Sequence, residues 1–544
     1  MRKILFLAAS CLLMTSCVID KRDLLSAEEK YNESFVEMFG KTDPEHTWMM
    51  VDNKTVEVSL DKPSRVKVYV KFGNNYKLAA DYENVSGNRE LHFDAPMGCE
   101  DVYVTVDGIP YQEGASAGSR TFIPTDEGKD VISQNENDYR VYTYCQLETF
   151  KNDNKTLPER VDNTQKVTMD YIAMAEEGKS YTFYPLFWNG DYFHTFGLYY
   201  LIGNQKYEFD FYKDKEGDCL QVKNSSGNWD DVTIDYVFEV LNNPNFKKED
   251  DVLRSKPYTI TFPEGTGEFG FYVKIYGSSE SETEIAKYYS NPAYNVLPNT
   301  NTPSFSSFAY LELKDETSGN VNTYITIEDK NQGDLDYNDF IFVMEGTQEH
   351  IEEKPVEYIY AVEDLGGTDD FDFNDVVFSV SHVAGQPHAN VKLLAAGGTL
   401  PANICFGNTS YGEVHDMFGV PTTEMVNTAK GTTKGNMKKA VSFQVNVGTT
   451  WSHKDLDYTE NFDPKDGFNV KVNNSVVTIY KPGVNAAPQI LVLTPNWLWP
   501  TERTRISDAY SGFGYWGEDY TKSDWVNTRD YSKVIDWVGT SQTN

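Results

Sequence analysis

A mainly β fold, built from several antiparallel β-sandwich domains with a short N-terminal helix, is predicted by three observations. The chain has 544 residues, which is too long for one small module. Hydrophobic residues make up 40% and aromatic residues 14%, enough apolar surface to oppose disorder. Apolar residues alternate with polar ones in many short segments separated by Gly and Asn turn signals, and this period of two is typical of strands.

The N-terminus carries the features of an export signal. Arg2 and Lys3 precede an apolar run over residues 4–14 that is too short to span a bilayer. The segment 13–17, Leu-Met-Thr-Ser-Cys, resembles a bacterial lipobox, which implies a signal peptide over 1–16 and a lipid on Cys17. Cleavage before Cys11 would leave an apolar run of only about seven residues, and cleavage as a plain signal peptide is the remaining alternative.

Residues 17–50 are expected to hold the lipid anchor, a linker and one short helix. Ser26 and Glu29 have the spacing of a capping box at the start of that helix. The apolar residues Tyr31 and Phe35 share one helical face, and Gly40 is a natural stop.

Three β-rich domains are expected to follow. Residues 51–125 predict a small β domain, because alternating segments are separated by turns at 73–75 and 107–108. Residues 126–350 predict an aromatic-rich β-sandwich that includes a long polar loop over 278–307. A charged segment ending in Pro355 marks the start of a last β domain, residues 351–544.

Composition excludes some functions. The chain has 48 Lys and Arg against 83 Asp and Glu, a formal charge of -35, which repels the phosphates of nucleic acids and anionic lipids. We therefore expect no nucleic-acid partner, and contact with a membrane only through the N-terminal lipid. Cys99, Cys145, Cys219 and Cys405 lie far apart in the sequence, so we expect isolated thiols, although pairing stays open.

An acidic hairpin pattern occurs twice. Residues 324–343 and 358–378 each contain an apolar strand, a Glu-Asp pair, a Gly-containing loop, an Asp-x-Asp-aromatic-Asn-Asp run and a second apolar strand. Carboxylates at this density repel one another, and a divalent cation would reverse that cost. The predicted metal ligands are Glu328, Asp329, Asp334, Asp336, Asn338 and Asp339 in the first copy and Glu363, Asp364, Asp370, Asp372, Asn374 and Asp375 in the second.

Calcium is the cation that these ligands favour. They offer only oxygen atoms, which argues against zinc and copper, and so many carboxylates suit Ca²⁺ better than Mg²⁺. An EF-hand is rejected, because Asp339 stands where that loop needs Gly and the strand after it would carry Glu345 away. The alternative is that the acidic turns only solvate a surface.

The segments 363–378, 396–401, 412–415 and 495–510 together resemble the LruC-type domain of Gram-negative surface lipoproteins. Residues 272–345 are similar to a second domain of secreted bacterial proteins that ends in the same acidic hairpin. The resemblance implies export, a β-rich fold and possible calcium binding, and no catalytic residues. Glu413 and His415 match a motif of that family, although its second Glu-x-His element has no copy downstream of His415. We expect these two residues to pack or to form a turn, with metal binding as the alternative.

No catalytic motif has a credible context, so we expect no enzyme activity. The Gly-x-Ser-x-Gly match at 114–118 lacks the strand and helix of a nucleophile elbow. The Gly-x-Gly-x-x-Gly matches at 265–270 and 512–517 lack the strand-to-helix setting of a nucleotide site. Two carboxylates suffice for a glycosidase, so that chemistry stays open.

The expected function is binding or scaffolding by an adhesin-like outer-membrane lipoprotein, on its periplasmic or its cell-surface face. A surface glycan or an envelope or host protein is the expected partner. The alternative is a glycan-binding or glycan-degrading protein, for which the aromatic residues 181–212 and the C-terminal tryptophans could stack on sugars. Burial of these rings in a β core is the competing interpretation.

Overall fold

The computed structural model describes residues 25–111 without interruption and residues 122–535 with gaps. The gaps are 125–130, 135–138, 144–147, 151–154, 156, 158–166, 169–170, 189–191, 204, 214–220, 224–225, 232–251, 278–282, 296–305, 315–318, 330–334, 365–369, 434, 454–466, 474 and 478–486. Cys17, Cys145, Cys219 and the 114–118 motif therefore lie outside the described residues.

The predicted fold class is confirmed, because strands account for 51% of the structure and helices for 11%. The strands are β1 (Val51–Phe72), β2 (Asn75–Pro96), β3 (Val102–Val106), β4 (Ile109–Pro110), β5 (Phe122–Pro124), β6 (Ile132–Gln134), β7 (Arg140–Thr143), β8 (Val167–Thr168), β9 (Ile172–Met174), β10 (Ser180–Trp188), β11 (Phe193–Ile202), β12 (Gln205–Lys213), β13 (Gln221–Lys223), β14 (Trp229–Asp231), β15 (Val252–Ser255), β16 (Tyr258–Thr261), β17 (Thr266–Tyr276), β18 (Glu284–Tyr289), β19 (Phe308–Lys314), β20 (Val321–Ile327), β21 (Phe340–Met344), β22 (His350–Glu352), β23 (Glu357–Val362), β24 (Val376–Ser381), β25 (His388–Ala395), β26 (Ala402–Phe406), β27 (Thr409–Glu413), β28 (Val441–Asn446), β29 (Phe468–Val472), β30 (Ser475–Val477) and β31 (Ile490–Leu493). The α-helices are α1 (Ala27–Phe39), α2 (Val414–Phe418), α3 (Ile506–Ala509) and α4 (Phe513–Glu518).

These strands form five sheets within the described residues. Their orders are β4-β3-β1-β2-β22-β9-β17-β11-β12-β5 with β18 beside β17, then β6-β16-β10-β21-β20-β19-β8, β14-β13-β15-β7, β28-β25-β24-β23-β31 and β27-β26-β29-β30. Pairing is antiparallel except between β2 and β22 and between β12 and β5.

The predicted N-terminal helix is confirmed as α1, including its capping box. The backbone N–H of Glu29 donates to Ser26 Oγ, and the Glu29 carboxylate accepts from the backbone N–H of Ser26 at 2.8 Å. Gly40 ends the helix with φ 87°, a left-handed value that favours glycine.

The first two strands form one long ribbon. The alternating segments 56–60 and 66–72 predict two strands, but both lie in β1, which pairs along its length with β2 around a turn at 73–74. The register shifts between Leu60 and Ser64, on either side of Pro63. Proline cannot donate to a ladder, and a bulge at that point lets the strand continue.

The aromatic-rich strands enclose a sandwich core. Phe196, Leu198 and Phe271, from β11 and β17, pack with Phe340 and Phe342 of β21, which belongs to the facing seven-stranded sheet. The ring centroids of Phe196 and Phe340 are 3.9 Å apart. The two sheets therefore bury one face each against the other, as β-sandwiches do.

The five-stranded sheet is buried on both faces. Along β23, Tyr358 and Tyr360 point into a core shared with β1 and β2, whereas Ile359 and Ala361 point into a core shared with α1 and the C-terminal helices. Alternate residues of one strand face opposite sides of a sheet, which places these two cores back to back.

The segment expected to separate two domains is itself part of a sheet. Residues 350–352 form β22, and Ile351 pairs with Tyr76 of β2. Glu349 and Glu353, which flank β22, form ion pairs with Lys71 and Lys67 of β1 at 2.6 Å each. The division into three domains stays a prediction, but this segment is tied to the β1–β2 ribbon.

The prediction of a long polar loop over residues 278–307 is wrong in part, because this segment contains a strand. β18 lies there and pairs with β17, with Tyr289 opposite Tyr272. The expected isolated thiols are confirmed for Cys99 and Cys405, which are free in the structure.

Candidate cation sites in two acidic hairpins

The first acidic repeat folds as the predicted hairpin. β20 pairs with β21 in the seven-stranded sheet, and Glu328 and Asp329 follow β20 directly. Glu328, Asp329 and Asp339 are all buried, and each can present a ligand atom within 4.8 Å of those of the other two. This group can hold a metal ion.

Hydrogen bonds fix the carboxylates of the first hairpin. The backbone N–H of Asp329 donates to Asp339 Oδ2 at 2.7 Å, and the Asn338 amide donates to Asp336 Oδ2 at 2.5 Å. Burial, and then the charge of Asp329, raises the pKa of Asp339 well above its usual range. The cluster thus holds negative charge at a cost that a cation would offset.

The second repeat is also a hairpin, formed by β23 and β24 of the five-stranded sheet, but apart from its Glu a different set of carboxylates meets there. Glu363, Asp370 and Asp372 can each present a ligand atom within 4.8 Å of the other two. Glu363 accepts from the backbone N–H groups of Phe371 at 3.3 Å and Phe373 at 3.1 Å. The loop therefore wraps around one buried carboxylate.

Electrostatic strain is present in the second hairpin as well. Burial is the largest cause that raises the pKa of Glu363, followed by the charges of Asp375 and Asp372. The pKa values of Asp375 and Asp372 are also raised, again mainly by burial. One cation bound beside Glu363, Asp372 and Asp375 would lower the cost of burying each carboxylate charge and would offset the repulsion between them.

The two loops share an unusual backbone. Leu335 and Tyr337 in the first loop have φ of 57° and 56°, and Phe371 and Phe373 in the second have 51° and 54°. Residues with a β-carbon rarely adopt this left-handed region. The repeated sequence therefore specifies a repeated conformation, in which each left-handed residue follows an Asp.

A pair of glycines lies against the second cluster. A β-carbon on Gly397 would come within 2.2 Å of Asn374 Oδ1, and one on Gly398 would come within 3.0 Å of Asp364 Oδ2 and 3.2 Å of Asp375 Oδ1. Asn374 is fully buried, and its Oδ1 has no hydrogen-bond partner within the described part of the chain. Glycine at these two positions thus allows several oxygen atoms of the hairpin to approach the turn closely.

Glu413 and His415 support that glycine turn. His415 is buried and contacts Glu413 Oε1 at 2.8 Å through Nδ1 and the Gly398 carbonyl oxygen at 3.0 Å through Nε2. The Glu413 side chain also caps α2. The expectation that both residues pack or form a turn is confirmed.

The structure does not bring every predicted ligand into the two groups. Asp334 lies outside the described residues. Asp336 and Asn338 bond to each other, and the Asn374 amide nitrogen donates to the Pro500 carbonyl at 3.1 Å. Asp364 lies beside Asp375, because its backbone N–H donates to Asp375 Oδ2 at 2.6 Å.

Sequence reasoning missed two groups beside the clusters. His194 of β11 is buried and lies 3.1 Å from Asp329 Oδ2 through its Nε2. Burial, and next the charge of Asp370, raises the pKa of Glu502. The adjacent Arg503 donates its backbone N–H to Asp372 Oδ2 at 2.8 Å. Both groups are distant in sequence from the hairpins, and no local pattern connects them.

The rings considered as sugar platforms are mostly in cores. Tyr199 and Tyr181 are buried in the aromatic-rich region, and Trp497, Trp499 and Trp525 are buried near the C-terminus. Core packing is therefore confirmed for these rings. The glycine motif at 512–517 leads into the six-residue helix α4, and no strand precedes it directly.

Comparisons of the chain with protein families, with curated proteins and with solved structures find no match. Among the described residues, no helix is both long and apolar enough to cross a bilayer. The geometry of the two acidic hairpins is therefore the feature of the molecule that points to a function.

Proposed function

We propose that this chain is an exported cell-envelope lipoprotein that acts by binding or scaffolding, and that each acidic hairpin binds a structural calcium ion. The observation that carries the cation sites is the repeated group of three carboxylates at the tip of a hairpin. Such groups repel one another when buried without a counter-charge. Both hairpins bring three carboxylates together, and Glu328 and Glu363 occupy the same position of the repeat, which favours a common ligand over chance.

The residues of the second hairpin fit a calcium ion well. Carboxylates surround the site, and the buried Asn374 Oδ1 supplies a further oxygen that has no hydrogen-bond partner among the described residues. Because Gly397 and Gly398 lack a β-carbon, these oxygens can lie close to the glycine turn. Calcium takes six to eight oxygen ligands in flexible geometry, whereas magnesium keeps several waters and suits fewer carboxylates.

The role of the ions is structural in this proposal. At millimolar calcium and a site constant near 10⁻⁴ M, each ion would stabilise the fold by about 1.4 kcal/mol. The segment between the hairpins is already held by ion pairs such as Lys77 with Glu352. The ions therefore act mainly on the hairpin loops. They add less to the rigidity of the segment between the two hairpins.

Lipid attachment at Cys17, envelope location and membership of the LruC-type family rest on the sequence resemblance alone. A glycan partner remains the alternative, but it would need surfaces other than the buried rings of Trp497 and Trp499. Exposed rings do exist at Tyr515 and Tyr531. A glycan array on the full-length chain would test this alternative directly.

The deciding experiment is thermal unfolding of the full-length chain in EGTA, followed by addition of calcium or of magnesium. We expect the midpoint to rise with calcium and much less with magnesium. Asp339→Asn and Asp372→Asn should each reduce that rise, whereas Asp61→Asn, at an exposed residue of β1, should not. An unchanged midpoint up to several millimolar calcium would rule out structural calcium.

A further inference from the structure

The loop of the second hairpin has two opposite faces. Asp370 and Asp372 belong to the carboxylate cluster, whereas the alternate residues Phe371 and Phe373 are fully buried in the core that contains α1. The same two Phe residues donate their backbone N–H groups to Glu363. One short segment thus forms both the wall of the proposed cation site and part of a hydrophobic core.

Phe371 is the loop residue that contacts the N-terminal helix. Its ring centroid lies 5.0 Å from that of Tyr31, 5.5 Å from that of Phe35 and 5.6 Å from that of Phe39. Aromatic pairs at such distances contribute about 0.5–1.5 kcal/mol each beyond the burial of their area. The three contacts lie on the apolar face of α1, which also packs against Trp48 and Phe513.

Two hydrogen bonds also join α1 to the C-terminal region. Tyr31 donates its hydroxyl hydrogen to the Pro488 carbonyl at 2.6 Å, and Asn32 Oδ1 accepts from the backbone N–H of Ala487 at 2.8 Å. α1 has 13 residues, and an isolated helix of that length is marginal in water. Its helical state therefore depends on docking.

We propose that cation binding at the second hairpin controls the docking of α1 onto the C-terminal region. This inference rests on the calcium site of the proposed function. With the cation bound, Glu363, Asp370 and Asp372 stay together and the left-handed loop holds Phe371 against the helix. Without the cation, no shared ligand draws Glu363, Asp370 and Asp372 together, so loop conformations in which Phe371 leaves its place become more populated and α1 undocks more often.

The first hairpin provides an internal control. At the position of Phe371 it has Leu335, whose side chain is 41% exposed, and at the position of Phe373 it has Tyr337, whose hydroxyl donates to the Ser306 carbonyl. Loss of a cation there should therefore leave α1 docked. The two sites therefore differ in their link to α1, although both lie in acidic hairpins.

Hydrogen exchange of the α1 amides in the full-length chain, followed by mass spectrometry, tests the inference. At 1 mM calcium and a site constant near 10⁻⁴ M, exchange should be slower than in EGTA by up to about tenfold. Asp372→Asn should abolish most of this response. Asp339→Asn should keep it, because that residue belongs to the carboxylate group of the first hairpin.

Phe371→Leu gives a second test that does not depend on the ligands. Leucine occupies the same left-handed backbone position in the first loop, at Leu335, so the loop can keep its shape. In this variant α1 should exchange faster even with calcium present, and calcium titration by calorimetry should still report the second ion.

Calorimetry also distinguishes the two ways in which the inference can fail. If Asp372→Asn removes one bound calcium while the exchange of α1 is the same with and without calcium in the parent chain, the coupling is wrong and the calcium site stands. If the parent chain binds no calcium at all, both the proposed function and the coupling are wrong.

Discussion

Lys77 Nζ lies 2.6 Å from Glu352 Oε2, and this ion pair joins the β1–β2 ribbon to the segment between the two acidic hairpins. Glu352 Oε1 accepts a second hydrogen bond from the Asn75 amide at 2.8 Å. Only 7% of the Glu352 side chain is exposed, so the pair is shielded from solvent on one side. Such a pair is worth more than a surface salt bridge and costs more to break.

Glu352→Gln should therefore destabilise the chain. The substitution removes the charge that compensates the Lys77 ammonium, which is only 19% exposed, and we expect a loss of about 2 kcal/mol in the free energy of unfolding. Urea unfolding at neutral pH measures it. The matched control is Glu424→Gln, which breaks an exposed pair with Lys438 and should cost less than about 0.5 kcal/mol. Equal losses for both variants would contradict the prediction.

His46 makes stability depend on pH. It is buried, its Nδ1 accepts the backbone N–H of Trp48 at 2.9 Å, and its Nε2 lies 2.9 Å from the Trp516 carbonyl oxygen. A nitrogen that accepts carries no proton, so this geometry requires the neutral ring with hydrogen on Nε2. Burial lowers the pKa of His46 to about 4 from an ordinary value of 6.5.

The direction of the effect follows from that shift. Below pH 6.5 the unfolded chain binds a proton at His46 that the folded chain does not, so this contribution to stability is complete above pH 6.5 and is lost as the pH falls to about 4. The loss is on the order of 3 kcal/mol. His46→Gln keeps a donor and an acceptor without titrating, and should flatten the stability curve between pH 6.5 and 4. His92→Gln, at an exposed site, should leave the slope unchanged.

Glu502 should strengthen cation binding at the second hairpin although it lies in a distant loop. Its carboxylate is close enough to Asp370 and Asp364 for their charges to raise its pKa, and the neighbouring Arg503 backbone bonds to Asp372. Glu502→Gln should weaken calcium binding at this site by about tenfold, which is 1.4 kcal/mol of lost attraction. Calorimetric titration measures this. Glu424→Gln again serves as the control, and an affinity equal to that of the parent chain would remove Glu502 from the site.

The acidic hairpins could be predicted because strand, Glu-Asp pair, loop and second strand follow one another within about twenty residues. The residues from other parts of the chain that lie beside the hairpins could not be predicted. His194 and Glu502 reach the clusters through sheet pairing and a loop that no local period encodes. The continuous β1 was also missed, because Pro63 normally ends a strand and here a bulge accommodates it.

The role of Gly397 and Gly398 can be separated from that of the carboxylates. Both residues lie where a β-carbon would approach site oxygens, Gly397 at 2.2 Å from Asn374 Oδ1 and Gly398 at 3.0 Å from Asp364 Oδ2. A contact under 3.0 Å with a buried, packed side chain cannot be relieved without moving that side chain. Gly397→Ala should therefore perturb the site more than Gly398→Ala.

We expect Gly397→Ala to lower both calcium affinity and the free energy of unfolding, the latter by about 1–3 kcal/mol. Gly398→Ala should lower calcium affinity with a smaller loss of stability, because the Asp364 carboxylate can shift by a few tenths of an ångström. Gly435→Ala is the matched control, since a β-carbon there meets nothing within 4 Å, and it should change neither quantity. Calorimetric titration and urea unfolding of the three variants measure both effects. If Gly397→Ala bound calcium as tightly as Gly435→Ala, the position of the Asn374 side chain would have no part in calcium binding, and Asn374 Oδ1 would not be a ligand.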